Sequence, residues 1–253
     1  MGQQVVSAVV ADPSLQLVGA SDIKAEGDHM TAPGKSKKIP LHDSLISLIE
    51  MYHPDVVVDF TVADGALNSA RLALKNGSNL VMGTTGLTEA DMAEIDELAL
   101  KYNKGAVVAA NFAIGAVILM HLARIAARYL DNAEIIELHH DRKLDAPSGT
   151  ALATARGMFK ARGKPFTYPA TEKETLKGTR GGEVDGIAIH SVRLPGLVAS
   201  QEVIFGALGQ TLSIRHDTIS RESFMPGVIL AVKEVVKRHG LVRGLDTLLN
   251  LGD

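Results

Sequence analysis

The first half of the chain alternates short apolar runs, rich in β-branched residues, with segments of helical period, and this alternation limits the possible folds most strongly. The runs predict strands near 15–20, 55–60, 79–82 and 106–110, and helices near 63–76, 88–102 and 115–130. Strands that alternate with helices build a parallel sheet covered by helices. The predicted fold class is therefore α/β, with a Rossmann-like parallel sheet in the first domain.

The pattern changes after residue 131. A strand-like run at 133–138 and a helix at 150–162 precede two long alternating runs, 184–194 and 200–216, which suggest antiparallel strands. These segments predict a second domain of α+β type with an open mixed sheet. A helical pattern returns from Met225 to Arg238, with Pro226 in the first turn and Gly240 just past the end. We expect this last helix to pack on the first domain.

Composition and charge exclude several classes of function. A net charge of -3 and 4% aromatic residues offer neither a basic field nor stacking groups for nucleic acid. The chain has no cysteine, which excludes disulfides and thiolate metal sites and suits a reducing cytoplasm. No apolar stretch reaches membrane-spanning length, and no signal peptide is recognisable. We expect a cytoplasmic protein with no nucleic-acid partner, no membrane partner and no metal.

The carboxyl ends of the predicted strands are small, polar and glycine-bearing. In parallel α/β sheets ligands bind beyond these ends. The segments concerned are Ser21-Asp22, Asp59-Phe60-Thr61, Gly83-Thr84-Thr85-Gly86 and Ala110-Asn111-Phe112-Ala113. They predict a surface on which a nucleotide can lie. Two of the acids have simpler interpretations, since Asp22 is also suited to cap a turn and Asp59 to stabilise its own turn.

Fourteen residues, Glu137 to Thr150, combine two adjacent histidines, a lysine and a Ser-Gly-Thr turn that begins a helix. The amides of Ser148, Gly149 and Thr150 are suited to grip a carboxylate, because a helix start carries unpaired N–H groups and partial positive charge. Alternation along a strand points the rings of His139 and His140 to opposite sides. A site for an anion that receives a proton is predicted here. His121, His190 and His216 are interpreted as structural.

This fourteen-residue block resembles the signature of dihydrodipicolinate reductase, a family of nicotinamide-dependent enzymes of bacterial lysine and diaminopimelate synthesis. The segments that begin at Asp59, Gly83 and Ala110 follow the spacing of that family, and the likeness runs to the C-terminus. The resemblance implies NAD(P)H-dependent reduction of a cyclic dicarboxylate, hydroxylated tetrahydrodipicolinate, to tetrahydrodipicolinate. It also implies a dinucleotide-binding domain at 1–110 plus 220–253, a substrate-binding and oligomerisation domain at 111–219, and a homotetramer formed through the open sheet.

The resemblance assigns roles to residues of the block. His139 and Lys143 match the proton-donating pair, His140 a substrate contact, and Gly149 with Thr150, preceded by Ser148, the carboxylate-binding amides. The chemistry agrees, because hydride addition to a double bond conjugated with a carboxylate builds negative charge that a cation stabilises and a proton quenches. Two substrate carboxylates require two anion sites, and His140 with Lys143 is the predicted second site.

The cofactor residues carried over by the resemblance lie mostly at the strand ends. They are Gly2, Asp22, Phe60, Thr61, Gly83, Thr84, Thr85, Ala110, Asn111, Phe112 and Ala113. Asp22 would accept hydrogen bonds from the adenosine ribose. Ile23 follows Asp22, and Val62 stands where some members carry Arg, so cationic partners for a 2′-phosphate are few. NADH is therefore expected over NADPH, with Lys24 as the residue that could support NADPH.

The chain departs from the family at its start, where a first strand and a Gly-x-x-Gly-Arg-Met-Gly turn are expected. Only Met1-Gly2 is kept, and a helix is predicted from Gln3 to Ala11. One explanation is a start assigned to an internal Met of a longer protein. The other is a catalytically weak or inactive subunit that binds substrate or supports assembly without a phosphate loop. A different dehydrogenase acting on a sugar or an amino acid is a third hypothesis.

Overall fold

The computed structural model describes residues 1–32 and 38–251, which form two compact units. The first unit comprises Met1–Phe112 together with Phe224–Asp253, and the second comprises Ala113–Ser223. Residues 33–37, which include part of a Lys-rich stretch, and residues 252–253 lie outside the described residues. The functions assigned to the two domains remain predictions.

Helices and strands alternate through most of the described residues. The helices are α1 Gly2–Ala11, α2 Leu45–Tyr52, α3 Ala63–Lys75, α4 Glu89–Lys101, α5 Ile114–Ala127, α6 Gly149–Arg162 and α7 Met225–Val235. The strands are β1 Ala20–Ser21, β2 His29–Thr31, β3 Lys38–His42, β4 Val56–Asp59, β5 Asn79–Met82, β6 Gly105–Val108, β7 Asn132–His139, β8 Gly182–Val184, β9 Ile187–Arg193, β10 Ala199–Ala207, β11 Gln210–Thr218 and β12 Gly240–Arg243. A 3-10 turn, Arg221–Phe224, precedes α7.

The first unit contains a four-stranded parallel sheet in the order β12-β6-β5-β4. Every residue of β5 and β6 is buried, as expected for parallel strands covered on both faces. The core beside them includes Leu74, Leu80, Met82 and Ile95, none of which is exposed to solvent. The helix α7 packs on β5 of this sheet. The predicted α/β class is confirmed.

A second sheet of the first unit has three short strands in the order β1-β3-β2. The strand predicted at 15–20 is wrong over most of its length, because β1 begins only at Ala20. Its partner β3 pairs Leu41 with Ala20 and His42 with Ser21, and the paired register ends there. Since a strand exists only where its backbone groups find partners, the preceding apolar residues stay irregular.

The second unit is built on a five-stranded mixed sheet in the order β11-β10-β7-β9-β8. The central strand β7 runs antiparallel to β10 and parallel to β9. Alternate residues of β7 enter a core with α5 and α6, where Ile135, Val203 and Phe205 are fully buried. The other residues of β7 lie on the opposite face of the sheet. The predicted open mixed sheet is confirmed.

Both long alternating runs of the second unit contain a reversal that the pattern does not indicate. The run 184–194 is divided between β8 and β9 by Asp185 and Gly186, which have φ of 53° and 83°. The run 200–216 is divided between β10 and β11 by Leu208 and Gly209, and Gly209 has a φ of 72°. Left-handed backbone at these glycines allows a two-residue turn. The run 200–216 is therefore a hairpin of β10 and β11, whereas the run 184–194 contains only the last residue of β8 and the whole of β9.

No helix in 1–32 or 38–251 combines the length and the hydropathy needed to cross a membrane. The same ranges hold no cluster of three or more His, Cys, Asp and Glu side chains suited to a metal ion.

Candidate active site

The loops after β4 and β5 are held together by one buried carboxylate. Oδ1 of Asp59, the last residue of β4, accepts hydrogen bonds from the amide of Thr61 at 2.8 Å and from the hydroxyls of Thr61 at 2.7 Å and Thr84 at 3.1 Å. Its interpretation as a residue that stabilises its own turn is confirmed. Thr84 is also buried, whereas Thr61 and Thr85 are exposed.

Two aromatic rings shape the same edge of the parallel sheet. The rings of Phe60 and Phe112 lie 5.5 Å apart between centroids. A Cβ added to Gly83 would stand 2.0 Å from Cε1 of Phe60, so only glycine allows the ring to pack there. Phe112 is buried, whereas Ala110 is exposed. Phe60 and Phe112, which are among the predicted cofactor residues, therefore support the loops from within. Ala110 and Asn111 belong to the same loop as Phe112.

Asp22 follows β1 and is exposed. Its Oδ1 accepts a hydrogen bond from the amide of Lys24 at 2.9 Å, so the carboxylate caps the turn that it begins. Two apolar side chains are exposed at the ends of β1 and β4, Ile23 by 87% and Val62 by 70%. Neither of them offers a charge to a phosphate.

The helix α1 begins the chain and has no side-chain cap at its first turn. Its first internal hydrogen bonds run from the amides of Gln4 and Val5 to the carbonyl of Met1, so the amides of Gly2 and Gln3 precede them. A helix start of this kind is suited to a phosphate. With the acid at Asp22 and the glycine-bearing strand ends, the residues of the first unit fit a dinucleotide.

In the second unit, the end of β7 carries a buried carboxylate beside a histidine. Glu137 is fully buried, and its Oε2 lies 2.5 Å from Nδ1 of His139. Arg193, on the neighbouring strand β9, donates from Nη2 to Oε1 of Glu137 at 2.7 Å and from Nη1 to Oε2 at 3.0 Å. The register of the parallel strands places Arg193 directly beside His139. Glu137 thus contacts both the imidazole of His139 and the guanidinium of Arg193.

The hydrogen bonds decide the charge of Glu137. Burial alone raises the pKa of this carboxyl, but hydrogen bonds from His139, Arg193 and Ser191 outweigh burial and lower the pKa to about 2. Glu137 is therefore an anion at neutral pH. A buried anion with this many donors is costly to leave unpaired, so each donor is strongly held.

Lys143 is held in the turn that follows β7. Its Nζ forms an ion pair with Oδ1 of Asp145 at 2.7 Å, and the hydrogen bond from Lys143 lowers the pKa of the Asp145 carboxyl. Nη2 of Arg193 also donates to the carbonyl of Asp145 at 2.7 Å. Arg193 therefore connects the two predicted proton donors, since it contacts the partner of His139 and the partner of Lys143.

The helix α6 begins where the sequence predicts it. Ser148 is its N-cap, and the buried hydroxyl accepts a hydrogen bond from the amide of Ala151 at 3.2 Å. The first internal bond runs from Leu152 to the carbonyl of Ser148, so the amides of Gly149 and Thr150 precede it. Ser148 is thus occupied with capping, and the amides that follow it are suited to an anion.

His140 comes directly after β7 and is half-buried. Among the described residues, its Nδ1 is a buried atom with no hydrogen-bond partner. His190 and His216, interpreted from the sequence as structural, have contacts of another kind. His190 pairs with Glu134 through Nε2 at 2.8 Å, and His216 packs on Gly115, with its pKa lowered by burial.

Sequence reasoning missed three residues of this cluster, namely Glu137, Asp145 and Arg193. Glu137 could have been found, because residues two apart on a strand share a face and a carboxylate beside His139 is a clear signal. Arg193 lies 54 positions beyond His139, and only the pairing of β7 with β9 brings it to the site. That pairing has no local signature in the sequence.

The comparisons with known proteins agree over nearly the whole chain. Two family profiles match, "Dihydrodipicolinate reductase, N-terminus" over residues 1–112 and "Dihydrodipicolinate reductase, C-terminus" over residues 115–249. The 4-hydroxy-tetrahydrodipicolinate reductase of Dehalococcoides mccartyi is 53% identical over 251 residues, which are 99% of this chain and 95% of that protein. The enzyme of the same name from Desulfitobacterium hafniense is 48% identical over 98% of this chain and 94% of its own length.

A solved structure is similar to the whole fold. The dipicolinate-bound dihydrodipicolinate reductase from Paenisporosarcina sp. TG-14 aligns with a TM-score of 0.85 at 42% identity and covers 97% of this chain and 94% of its own. The identities and coverage far exceed what a shared fold alone produces. The chain therefore belongs to the dihydrodipicolinate reductase family.

Proposed function

We propose that this protein catalyses the NAD(P)H-dependent reduction of 4-hydroxy-tetrahydrodipicolinate to tetrahydrodipicolinate, a reaction of lysine and diaminopimelate biosynthesis. Family membership over both halves of the chain supports the reaction. The observation that carries the assignment of residues is the cluster at the end of β7, where His139 and Lys143 are both held by acidic partners. An imidazole, an ammonium and the free amides of a helix start suit a small dianion.

The hydroxyl group of the substrate is lost as water, and the reduced nicotinamide, when bound, supplies a hydride to the double bond that this loss leaves conjugated with a carboxylate. The protein stabilises and then removes the resulting negative charge. Lys143 provides a full positive charge beside a ring that becomes electron-rich, and His139 donates the proton that completes the reduction. Nδ1 of His139 is engaged by Glu137, so Nε2 is the nitrogen that donates. These two residues are the proposed catalytic pair.

The two carboxylates of the substrate are proposed to occupy two sites. The amides of Gly149 and Thr150 at the start of α6 bind one, and Lys143 with His140 binds the other. Lys143 exchanges its contact with the Asp145 carboxylate for a contact with the substrate carboxylate, so that one carboxylate replaces another at the same ammonium. The related enzyme from Paenisporosarcina binds dipicolinate, a dicarboxylate, which supports a site of this kind.

The first unit is proposed to bind the cofactor. Asp22 accepts hydrogen bonds from the adenosine ribose, and the amide of Gly2 faces the phosphates. The strand-end loops support the nicotinamide half of the cofactor through Phe60 and Thr61, Gly83 to Thr85 and Ala110 to Ala113. NADH is the proposed coenzyme, because a carboxylate repels a 2′-phosphate and the exposed neighbours Ile23 and Val62 supply no cation. Lys24 is the cation whose replacement tests this preference.

The second unit is proposed to bind the substrate and to assemble a homotetramer through the open face of its sheet. The absence of cysteine suits the cytoplasm as its location.

The test is steady-state turnover by the purified protein, followed as loss of reduced-nicotinamide absorbance with 4-hydroxy-tetrahydrodipicolinate as substrate. We expect turnover, competitive inhibition by dipicolinate, and a loss of kcat/KM of about 100-fold or more in Lys143→Ala. Binding of dipicolinate without any turnover or coenzyme binding would favour a substrate-binding or assembly subunit. Turnover insensitive to Lys143→Ala and to dipicolinate would favour a dehydrogenase of another substrate.

A further inference from the structure

A buried glutamate contacts the imidazole of the proposed proton donor. Glu137 and His139 lie on the same face of β7, and the carboxylate meets Nδ1 at 2.5 Å. We propose that Glu137, held by Arg193, is the positioning residue that keeps the proton of His139 on Nδ1 and leaves Nε2 to exchange a proton with the substrate. This inference rests on the proposed function, in which His139 is the proton donor.

The hydrogen-bonding capacity of the two partners determines the tautomer. Glu137 is ionised at neutral pH, because its pKa is about 2, and an ionised carboxylate can only accept hydrogen bonds. Nδ1 must then be the donor whether the ring is neutral or charged. Only Nε2 is left to gain and lose a proton in the catalytic cycle. The tautomer and the direction of the ring are thereby fixed by a single contact.

Arg193 fixes the glutamate in turn. Its guanidinium holds both carboxylate oxygens of Glu137 and also donates to the carbonyls of Val192 at 2.8 Å and Asp145 at 2.7 Å. Glu137 consequently has no freedom to turn away from His139. The contact with Asp145 extends the same support to Lys143, which pairs with the Asp145 side chain. A lysine at position 193 cannot reproduce this planar, forked arrangement.

The same strand carries a cluster of matching chemistry away from the proposed site. Glu134 accepts from Nε2 of His190 at 2.8 Å and pairs with Nη2 of Arg180 at 2.5 Å. Glu134 lies three residues before Glu137 on β7, and so it faces the opposite side of the sheet. The two clusters share their residue types but differ in location. Glu134→Gln is therefore a matched control for Glu137→Gln.

The first experiment compares kinetics. Glu137→Gln retains the size of the side chain but can present an amide N–H to Nδ1, which favours the wrong tautomer. We expect kcat to fall at least about 10- to 100-fold, the range seen when a group that orients a metal-ligating histidine is removed, while KM changes less than about threefold. Arg193→Lys should also lower kcat. Glu134→Gln should keep kcat within about twofold of the wild type.

The second experiment reads the tautomer directly and needs no activity. The nitrogen chemical shifts of His139 are measured by NMR on ¹⁵N-histidine protein at a pH about two units above the ordinary imidazole pKa of about 6.5. The wild type and Glu134→Gln should show the Nδ1–H form. Glu137→Gln should shift the ring toward Nε2–H. Dipicolinate binding and thermal unfolding check that each variant is folded.

The outcomes separate this inference from the proposed function. Wild-type His139 in the Nε2–H form overturns the inference even if Glu137→Gln fails to fold. A folded Glu137→Gln with wild-type kcat, in a protein that His139→Gln inactivates, also overturns it. An inactive wild type, or full activity in His139→Gln, overturns the proposed function instead. The NMR shifts then still decide whether Glu137 sets the tautomer.

Discussion

Among single residues, Glu137 combines complete burial with full charge, and this makes its contribution to stability dependent on pH. The folded protein holds its pKa at about 2, whereas the ordinary value is 4.5. Between these values the unfolded chain binds more protons than the folded one, so stability is present above about pH 4.5 and is lost as the pH falls toward 2. This shift in the pKa of Glu137 corresponds to about 3 kcal/mol of folding free energy.

Comparison of the wild type with Glu137→Gln isolates this contribution from those of other carboxylates. We expect the wild type to exceed Glu137→Gln in free energy of unfolding by a margin that narrows by about 3 kcal/mol between pH 5 and pH 2. The measurement is urea denaturation at a series of pH values. A margin independent of pH would show that the charge of Glu137 does not stabilise the fold.

The strands differ from one another in how far the sequence predicts them. The strand 79–82 is observed at the predicted residues, because a buried parallel strand is apolar throughout and its ends are marked by polar residues. The strand at 15–20 is not, because strand formation depends on a partner that sequence periodicity does not identify. The contact of Arg193 with Glu137 escapes prediction for the same reason, since it depends on a long-range register.

Ser148 tests the helix start that the sequence predicted as an anion site. Ser148→Ala removes the hydrogen bond to the amide of Ala151 and should cost about 1 kcal/mol of stability. It should also weaken dipicolinate binding about three- to tenfold, because the amides of α6 lose their alignment. The measurements are urea denaturation and calorimetric titration with dipicolinate.

Thr88→Ala, which removes the cap of a different helix, is the control for this prediction. Thr88 caps α4 in the first unit with a capping box, so its loss should carry a similar stability cost. Dipicolinate affinity should not change in Thr88→Ala. If both variants lost dipicolinate affinity equally, the effect would come from general destabilisation, and the anion site at α6 would be refuted.

For the whole molecule, the proposed homotetramer predicts a mass four times that of the 26.8 kDa chain. Ile204 lies on β10 opposite the core residues Val203 and Phe205, and therefore on the open face of the sheet. A lysine at this position would place a charge in a subunit interface. We expect sedimentation of the wild type as a tetramer and dissociation in Ile204→Lys. A monomeric wild type at micromolar concentration would contradict the proposed assembly.

The central claim is that an imidazole and an ammonium at the end of β7 complete the reduction of a bound dicarboxylate. The most direct test is turnover by the double variant His139→Gln/Lys143→Ala, compared with the wild type under saturating substrate and coenzyme. We predict a loss of kcat of about 1,000-fold or more in a protein whose cooperative thermal unfolding shows that it is folded. Turnover by the folded double variant at the wild-type rate would contradict the account.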